Sequence, residues 1–250
     1  MKATTVWCNT LQTVDWSGWA VCSFCDEVAV FRLFLPADLQ VNPYLLTLLQ
    51  PDEWERAERF RRISDRNRFV YGRALTKIVI GKLVDRKPAT IRLVTGINKK
   101  PLIASFSAVH FNVSHAGDWI MLAVSKAEVG VDLEKEEDNF TFQDILSTSF
   151  SAEEQAFIGG SNNPKKEFYR LWTRKEALVK ATAKGIDDDF YRIPSLDGEH
   201  QSSVDLPGKD GFWTVTSFRV DDDHQAAVAY QPSAGSPKFY TVDSNLFLQN

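Results

Sequence analysis

The chain has 250 residues, 44% of them hydrophobic and 25% charged, an ordinary globular balance that excludes disordered, collagenous and fibrous architectures. Its 29 Lys and Arg against 33 Asp and Glu leave a formal charge of −4, so no global positive field drives nucleic-acid binding and any anion site must be local. The length predicts one large or two modest domains. Three cysteines within the first 25 residues, no apolar leader and no run of ~18 apolar residues predict a soluble, cytoplasmic protein without a membrane span.

After an irregular start, residues 28–35 (VAVFRLFL) read as a buried strand closed by Pro36. A helix over 52–62 opens with Pro51, Asp52 and Glu53, and Ser64 offers an N-cap for a longer helix over 65–84. From 109 to 134 the apolar period changes to two, predicting strands either side of the turn at Ala116–Asp118. In the next strand, VGVDLE, Val129, Val131 and Leu133 share one face and Gly130, Asp132 and Glu134 the other. Helices near 151–158 and over 165–184 follow, the second with Gly185 in the place of a left-handed C-cap, then strands at 212–219 and 226–230. The element order suggests α+β with antiparallel sheets, and RFVYGRALTK (68–77) echoes LWTRKEALVK (171–180), which hints at two halves.

Asp132 and Glu134 put two carboxylates on one strand face, an arrangement suited to a hard cation such as Mg²⁺; the plainer reading is two solvated acids. Glu176 shares a helix stripe with Trp172 and Lys180, and it joins the pair only if that helix crosses the strand. Ser114 and His115 end a strand before a turn, where an imidazole suits a phosphate; adjacent strand residues face opposite ways, so they do not form a nucleophile–base pair. Seven arginines lie between Arg56 and Arg73, interspersed with acids, which favours one or two phosphate contacts over a nucleic-acid stripe. Cys22-x-x-Cys25 with Cys8 is a weak zinc candidate.

Read together, FNVSHAG (111–117), GVDLEK (130–135) and WTRKEALVKATAKG (172–185) resemble the signature set of the Sfp-type 4'-phosphopantetheinyl transferases, with a W-x-x-K-E-A form similar to its broad-specificity subgroup. The resemblance covers residues 28–231. It implies a pseudodimer of two similar α+β halves, each a small antiparallel sheet packed with a long helix. The halves would be 28–125 and 126–231, the second carrying the metal site, with 1–27 as an N-terminal extension and 232–250 as a C-terminal tail. By motif position Asp132, Glu134 and Glu176 would hold Mg²⁺, with Mn²⁺ as a substitute. Asp132, Glu176 and Lys180 would be the catalytic set, with Glu176 or a water that it orients as the base.

Lys180, Ser114 and His115 would face coenzyme A. Lys100-Pro101 matches the family's K-P element beside the adenine, although Asn98-Lys99 stands where a glycine is more usual, and Arg68 matches an arginine near the 3'-phosphate. Arg56 is matched to an upstream basic position. The implied activity moves 4'-phosphopantetheine from coenzyme A to a serine of an acyl or peptidyl carrier protein, in a monomer that engages neither nucleic acid nor membrane. Fatty-acid, polyketide and nonribosomal peptide carriers are all open. Two rival readings share the residues: a Mg²⁺-dependent phosphohydrolase acting on coenzyme A or a related nucleotide, and a non-catalytic coenzyme A-binding module. Phe140, Phe142, Ile145 and Leu146 offer either an apolar docking patch for the carrier or ordinary helix packing.

Overall fold

The computed structural model describes residues 4–23, 28–36, 39–104, 109–208 and 211–247. The elements run β1 (Thr4–Thr10), β2 (Trp16–Gly18), β3 (Val28–Phe34), α1 (Pro43–Thr47), α2 (Pro51–Glu58), α3 (Ile63–Leu83), β4 (Leu93–Thr95), β5 (Pro101–Ile103), β6 (His110–Ala116), β7 (Trp119–Ser125) and β8 (Val129–Lys135). They continue with α4 (Gln143–Ser149), α5 (Ala152–Gly160), α6 (Pro164–Thr182), β9 (Gly198–Ser202), β10 (Phe212–Arg219), β11 (His224–Tyr230) and β12 (Pro237–Val242).

Strand alternation builds four layers. Ala29, Phe31 and Leu33 of β3 with Ile120, Leu122 and Val124 of β7 bury one face against α3. Their neighbours Val28, Val30, Met121 and Ala123 bury the opposite face against Val129, Val131 and Leu133 of β8 and Phe218, Ala226 and Val228 of the second sheet. That second sheet's outer face, with Val215, Ala227 and Ala229, packs on Ala177, Leu178 and Ala181 of α6. The order is thus helix, sheet, sheet, helix, the α+β pseudodimer with its halves face to face. The helical echo takes matching places: Ala74 and Leu75 are buried in one core, Ala177 and Leu178 in the other.

The sheets are ordered β2-β12-β3-β7-β6 and β8-β11-β10-β1-β9. Hairpin neighbours are antiparallel, whereas β12 joins β3 and β1 joins β10 in parallel. The expected irregular start is therefore partly strand. Cys8 lies in the α6 core and Cys22 in the α3 core, so they cannot share a zinc; Cys25 is outside the described residues.

Three local expectations need correction. Helix α2 stops at Glu58, and α3 starts at Ile63 behind Arg62, whose side chain makes no cap, with Ser64 already inside the helix. Ala183, not Gly185, takes the left-handed C-cap of α6 (φ 54°), and Gly185 is a second positive-φ residue (79°) two places on.

Candidate active site

Edge strands β6 and β8 meet where the two sheets face each other. Asn112 Oδ1 on β6 accepts from the Val131 amide on β8 at 2.9 Å, so a side chain closes an edge that no strand covers. Helix α6 crosses the other face of β8 at Gly130. A Cβ there would stand 2.1 Å from the Ala177 carbonyl oxygen, so the close crossing requires glycine. The crossing brings Glu176 and Lys180 over Asp132, the condition under which the three acids belong together.

Asp132 is the centre. It is 1% exposed, and its Oδ1 accepts from Ser114 Oγ at 3.0 Å and from Lys180 Nζ at 2.5 Å. Its Oδ2 is buried without a hydrogen-bond partner. Burial pushes the Glu134 carboxyl up to about 7, helped by the charges of Asp132 and Glu176, against the opposing pull of Lys180. Glu176 is likewise pushed up to about 7, by burial first and Asp132 second. Burial works against the charged form of Lys180, but Asp132 and then Glu176 and Glu134 outweigh it and raise its pKa. Three acids thus crowd one ammonium, and the site holds more negative charge than its own cation balances. Among the described residues no three acidic, His or Cys side chains are closed around a common point, and Lys180 pairs with Asp132.

Three cavities open around this junction. One of about 420 Å³ runs from His115 and Glu134 along an aromatic wall of Phe140, Phe168, Tyr169 and Trp172. A second of about 210 Å³ collects Arg56, Arg68, Arg73, Lys99 and His115 and no carboxylate. The third, about 260 Å³, lies between Lys99, Pro101 and Asn112 and the Glu176–Lys180 stretch of α6. His115 joins the first two, and Pro101 the last two. Ser114 is buried and His115 exposed, on opposite faces as the strand period requires. Although much of its side chain meets solvent, the loss of water where the ring lines the two cavities comes first, then Arg68 and Lys180, in lowering the His115 imidazole below its ordinary value.

Two family descriptions match the chain: "4'-phosphopantetheinyl transferase, N-terminal" over residues 38–127, and "4'-phosphopantetheinyl transferase superfamily" over residues 128–229. The chain belongs to the 4'-phosphopantetheinyl transferase family. The transferase is similar to psf-1 of Bacillus pumilus, a 4'-phosphopantetheinyl transferase 33% identical over 185 residues, covering 72% of this chain and 78% of that protein. It is also similar to Sfp of Bacillus subtilis strain 168, 28% identical over 77% of this chain and 87% of Sfp. HetI of Nostoc is 28% identical over 86% of this chain and 92% of HetI. The protein is thus an enzyme of phosphopantetheine transfer.

The transferase places the remaining sequence candidates unequally. Arg68 lines two cavities, donates to the Gly117 carbonyl at 2.8 Å and pairs with Asp65. Arg56 lies 5.0 Å over the Phe69 ring. Lys100 lines the third cavity, but its ammonium is engaged by Glu128 at 2.9 Å and the Ala181 carbonyl at 2.8 Å. Phe142 is buried, while Phe140 is 42% exposed on the aromatic wall. Sequence reading names Arg73 only within the run of seven arginines and Lys99 only as a departure from the family's usual glycine, and it does not single out Asn112. Arg73 sits 5.3 Å over Phe69, four residues earlier on the same helix face. Sequence reading also missed that the W-x-x-K-E-A stretch is two-sided: Arg174 and Lys175 are fully buried away from Glu176.

Proposed function

We propose that this transferase moves the 4'-phosphopantetheine group of coenzyme A onto a serine hydroxyl of an acyl or peptidyl carrier protein, with Asp132, Glu134 and Glu176 holding Mg²⁺. The observation that carries the metal assignment is the buried, unpartnered Asp132 Oδ2 beside two carboxyls raised to about 7. Oxygen donors of this kind suit a hard cation that keeps positions for water and phosphate oxygens. Mg²⁺ bound there, or Mn²⁺ in its place, supplies charge neutralisation to the pyrophosphate.

The chain's own groups do the rest. Arg56, Arg68 and His115 line the basic cavity suited to the nucleotide's phosphates, and Lys180 faces the junction from α6. Ser114, bonded to both Asp132 and Lys180, keeps the carboxylate and the ammonium in register. Glu176, or a water that it orients, accepts the proton of the carrier serine. The serine oxygen bonds to the phosphorus bearing pantetheine, and the P–O bond to the other phosphate breaks. The electron pair leaves on adenosine 3',5'-bisphosphate. Residues of both halves meet within one chain, which supports a monomeric catalyst. Cys8 and Cys22 are free thiols, which supports a cytoplasmic setting. No helix among the described residues is long and apolar enough to cross a membrane.

Intact-mass spectrometry of an apo carrier protein, incubated with the enzyme, coenzyme A and Mg²⁺, tests the reading. The expected gain is ~340 Da, abolished by EDTA and by Asp132→Ala in a variant that keeps its circular dichroism. Bisphosphate released without any carrier would point to hydrolysis, and full turnover in Asp132→Ala would remove Asp132 from the ligand set.

A further inference from the structure

The loop before β5 is held in an unusual conformation. Asn98 (φ 49°) and Lys99 (φ 62°) are consecutive non-glycine residues in the left-handed region, which asparagine tolerates and lysine rarely adopts. Such strain persists only where surrounding contacts impose it. Here Asn98 Nδ2 donates to the Ala183 carbonyl at 2.7 Å and the Lys184 carbonyl at 2.8 Å, while Lys100 Nζ donates to the Ala181 carbonyl at 2.8 Å and to Glu128 Oε2 at 2.9 Å. Backbone groups at the end of α6 have no helical partner of their own, so two side chains from the first half cap a helix of the second. The fastened loop leaves Lys99 exposed between the two smaller cavities, lining both. In the basic cavity Arg68 and Arg73 are already paired with Asp65 and Glu53. Lys99 has no ion pair or hydrogen bond to a side chain among the described residues, so its charge is available to a ligand.

We infer that Lys99 is a coenzyme A-binding residue that grips a phosphate of the nucleotide, and that Asn98 and Lys100 are positioning residues that fasten its loop to the end of α6. The inference rests on the coenzyme A reading above and moves the ligand contact of this segment from Lys100, whose ammonium is committed to the junction, to its neighbour.

Isothermal titration of coenzyme A into the full-length enzyme tests it. Lys99→Ala weakens binding about tenfold, the worth of one charge-assisted hydrogen bond, with an unchanged melting temperature, and Lys99→Arg restores most of it. Asn98→Gly keeps the backbone conformation but loses both donors, so it weakens binding in the wild type and adds nothing further on top of Lys99→Ala. Dephospho-coenzyme A identifies the group: a Lys99→Ala effect that vanishes with it assigns the 3'-phosphate, and one that persists assigns the pyrophosphate. Wild-type affinity in Lys99→Ala, or additive losses in the double variant, overturns the inference while leaving the transferase reading intact. Failure of the wild type to bind coenzyme A would instead strike that reading itself.

Discussion

Lys175 sits in the motif beside Glu176, yet the structure gives it a different task, and replacing it measures the difference. Its ammonium is fully buried, 2.9 Å from Glu154 Oε2, and donates to the Ile193 carbonyl at 2.5 Å and the Tyr191 carbonyl at 3.2 Å. Lys175→Met keeps most of the stem's volume and deletes only the charge. Breaking a buried pair from one side costs about 3–5 kcal/mol. Glu154 retains two donors, the Ser151 amide at 2.9 Å and Ser195 Oγ at 2.5 Å, which puts the loss near the low end, about 3 kcal/mol. For a chain of this size that is a fall in melting temperature of about 6–12 °C. Thermal unfolding by circular dichroism reads it directly. Glu154→Ala costs more, because it leaves the ammonium with carbonyl partners alone and also removes the acceptor that caps α5. Coenzyme A affinity of the folded Lys175→Met protein stays within about twofold of wild type, since no interaction in the cleft has gone. A melting temperature within about 2 °C of wild type, together with a hundredfold loss of turnover, would refute the assignment and make Lys175 part of the chemistry.

Two further outcomes are expected. Burial alone would raise the Glu128 carboxyl, but His110 and Lys100 outweigh it and hold it at about 2. A carboxyl depressed on folding stabilises the protein above the unfolded value of about 4.3, and that contribution is lost as the pH falls towards 2. With the side chain 42% exposed, screening limits it to about 1 kcal/mol; urea midpoints between pH 2.5 and 6 fall less steeply in Glu128→Gln, and parallel curves would refute the linkage. Gly117 (φ 52°) turns β6 into β7, and a Cβ there would lie 2.6 Å from His224 Nε2. Gly117→Ala costs about 1–2 kcal/mol for the left-handed backbone, and because the Gly117 carbonyl receives Arg68 it also raises the KM for coenzyme A. Adding His224→Ala recovers part of that KM; no recovery would mean the imidazole does not crowd the turn.

Much of the candidate site's layout was legible because strand and helix periods assign faces without knowledge of the fold. Alternation alone separates Asp132 and Glu134 from Val131 and Leu133, and the i, i+4 spacing places Glu176 with Lys180. What the periods do not contain is the meeting of unpaired edges. Asn112 reads as one polar residue in an apolar strand until β8 is laid beside β6. Lys99 and Lys100 are chemically identical in a row, and only the end of α6, 81 residues further on, separates the strut from the exposed cation. The same holds for Arg174, one of several basic residues in the same helical stretch. In fact it is fully buried and reaches the Asn9 carbonyl near the end of β1 at 2.9 Å and Asp197 at 2.6 Å.

That last contact belongs to a wider arrangement with a consequence for catalysis. The chain begins with β1 in the sheet of the second half, crosses to β2 and β3 in the first, and after β11 returns a final strand, β12, to the first half. Each sheet is therefore completed by a segment from outside the 28–231 stretch that resembles the family. Arg174 fastens β1 to α6, and Arg32 on β3 reaches both Thr241 on β12, at 3.1 Å, and the Val220 carbonyl at the end of β10, at 3.0 Å. The two sheets are thus tied by three short crossings, residues 11–15, 126–128 and 231–236, as well as by their packed apolar faces. On the proposed reading the site is assembled from β6 on one half and β8 and α6 on the other, and a pyrophosphate that meets arginines of one half and carboxylates of the other at once depends on that spacing. The crossings limit how far the sheets can part before any substrate arrives, so little binding energy is spent on bringing the halves together.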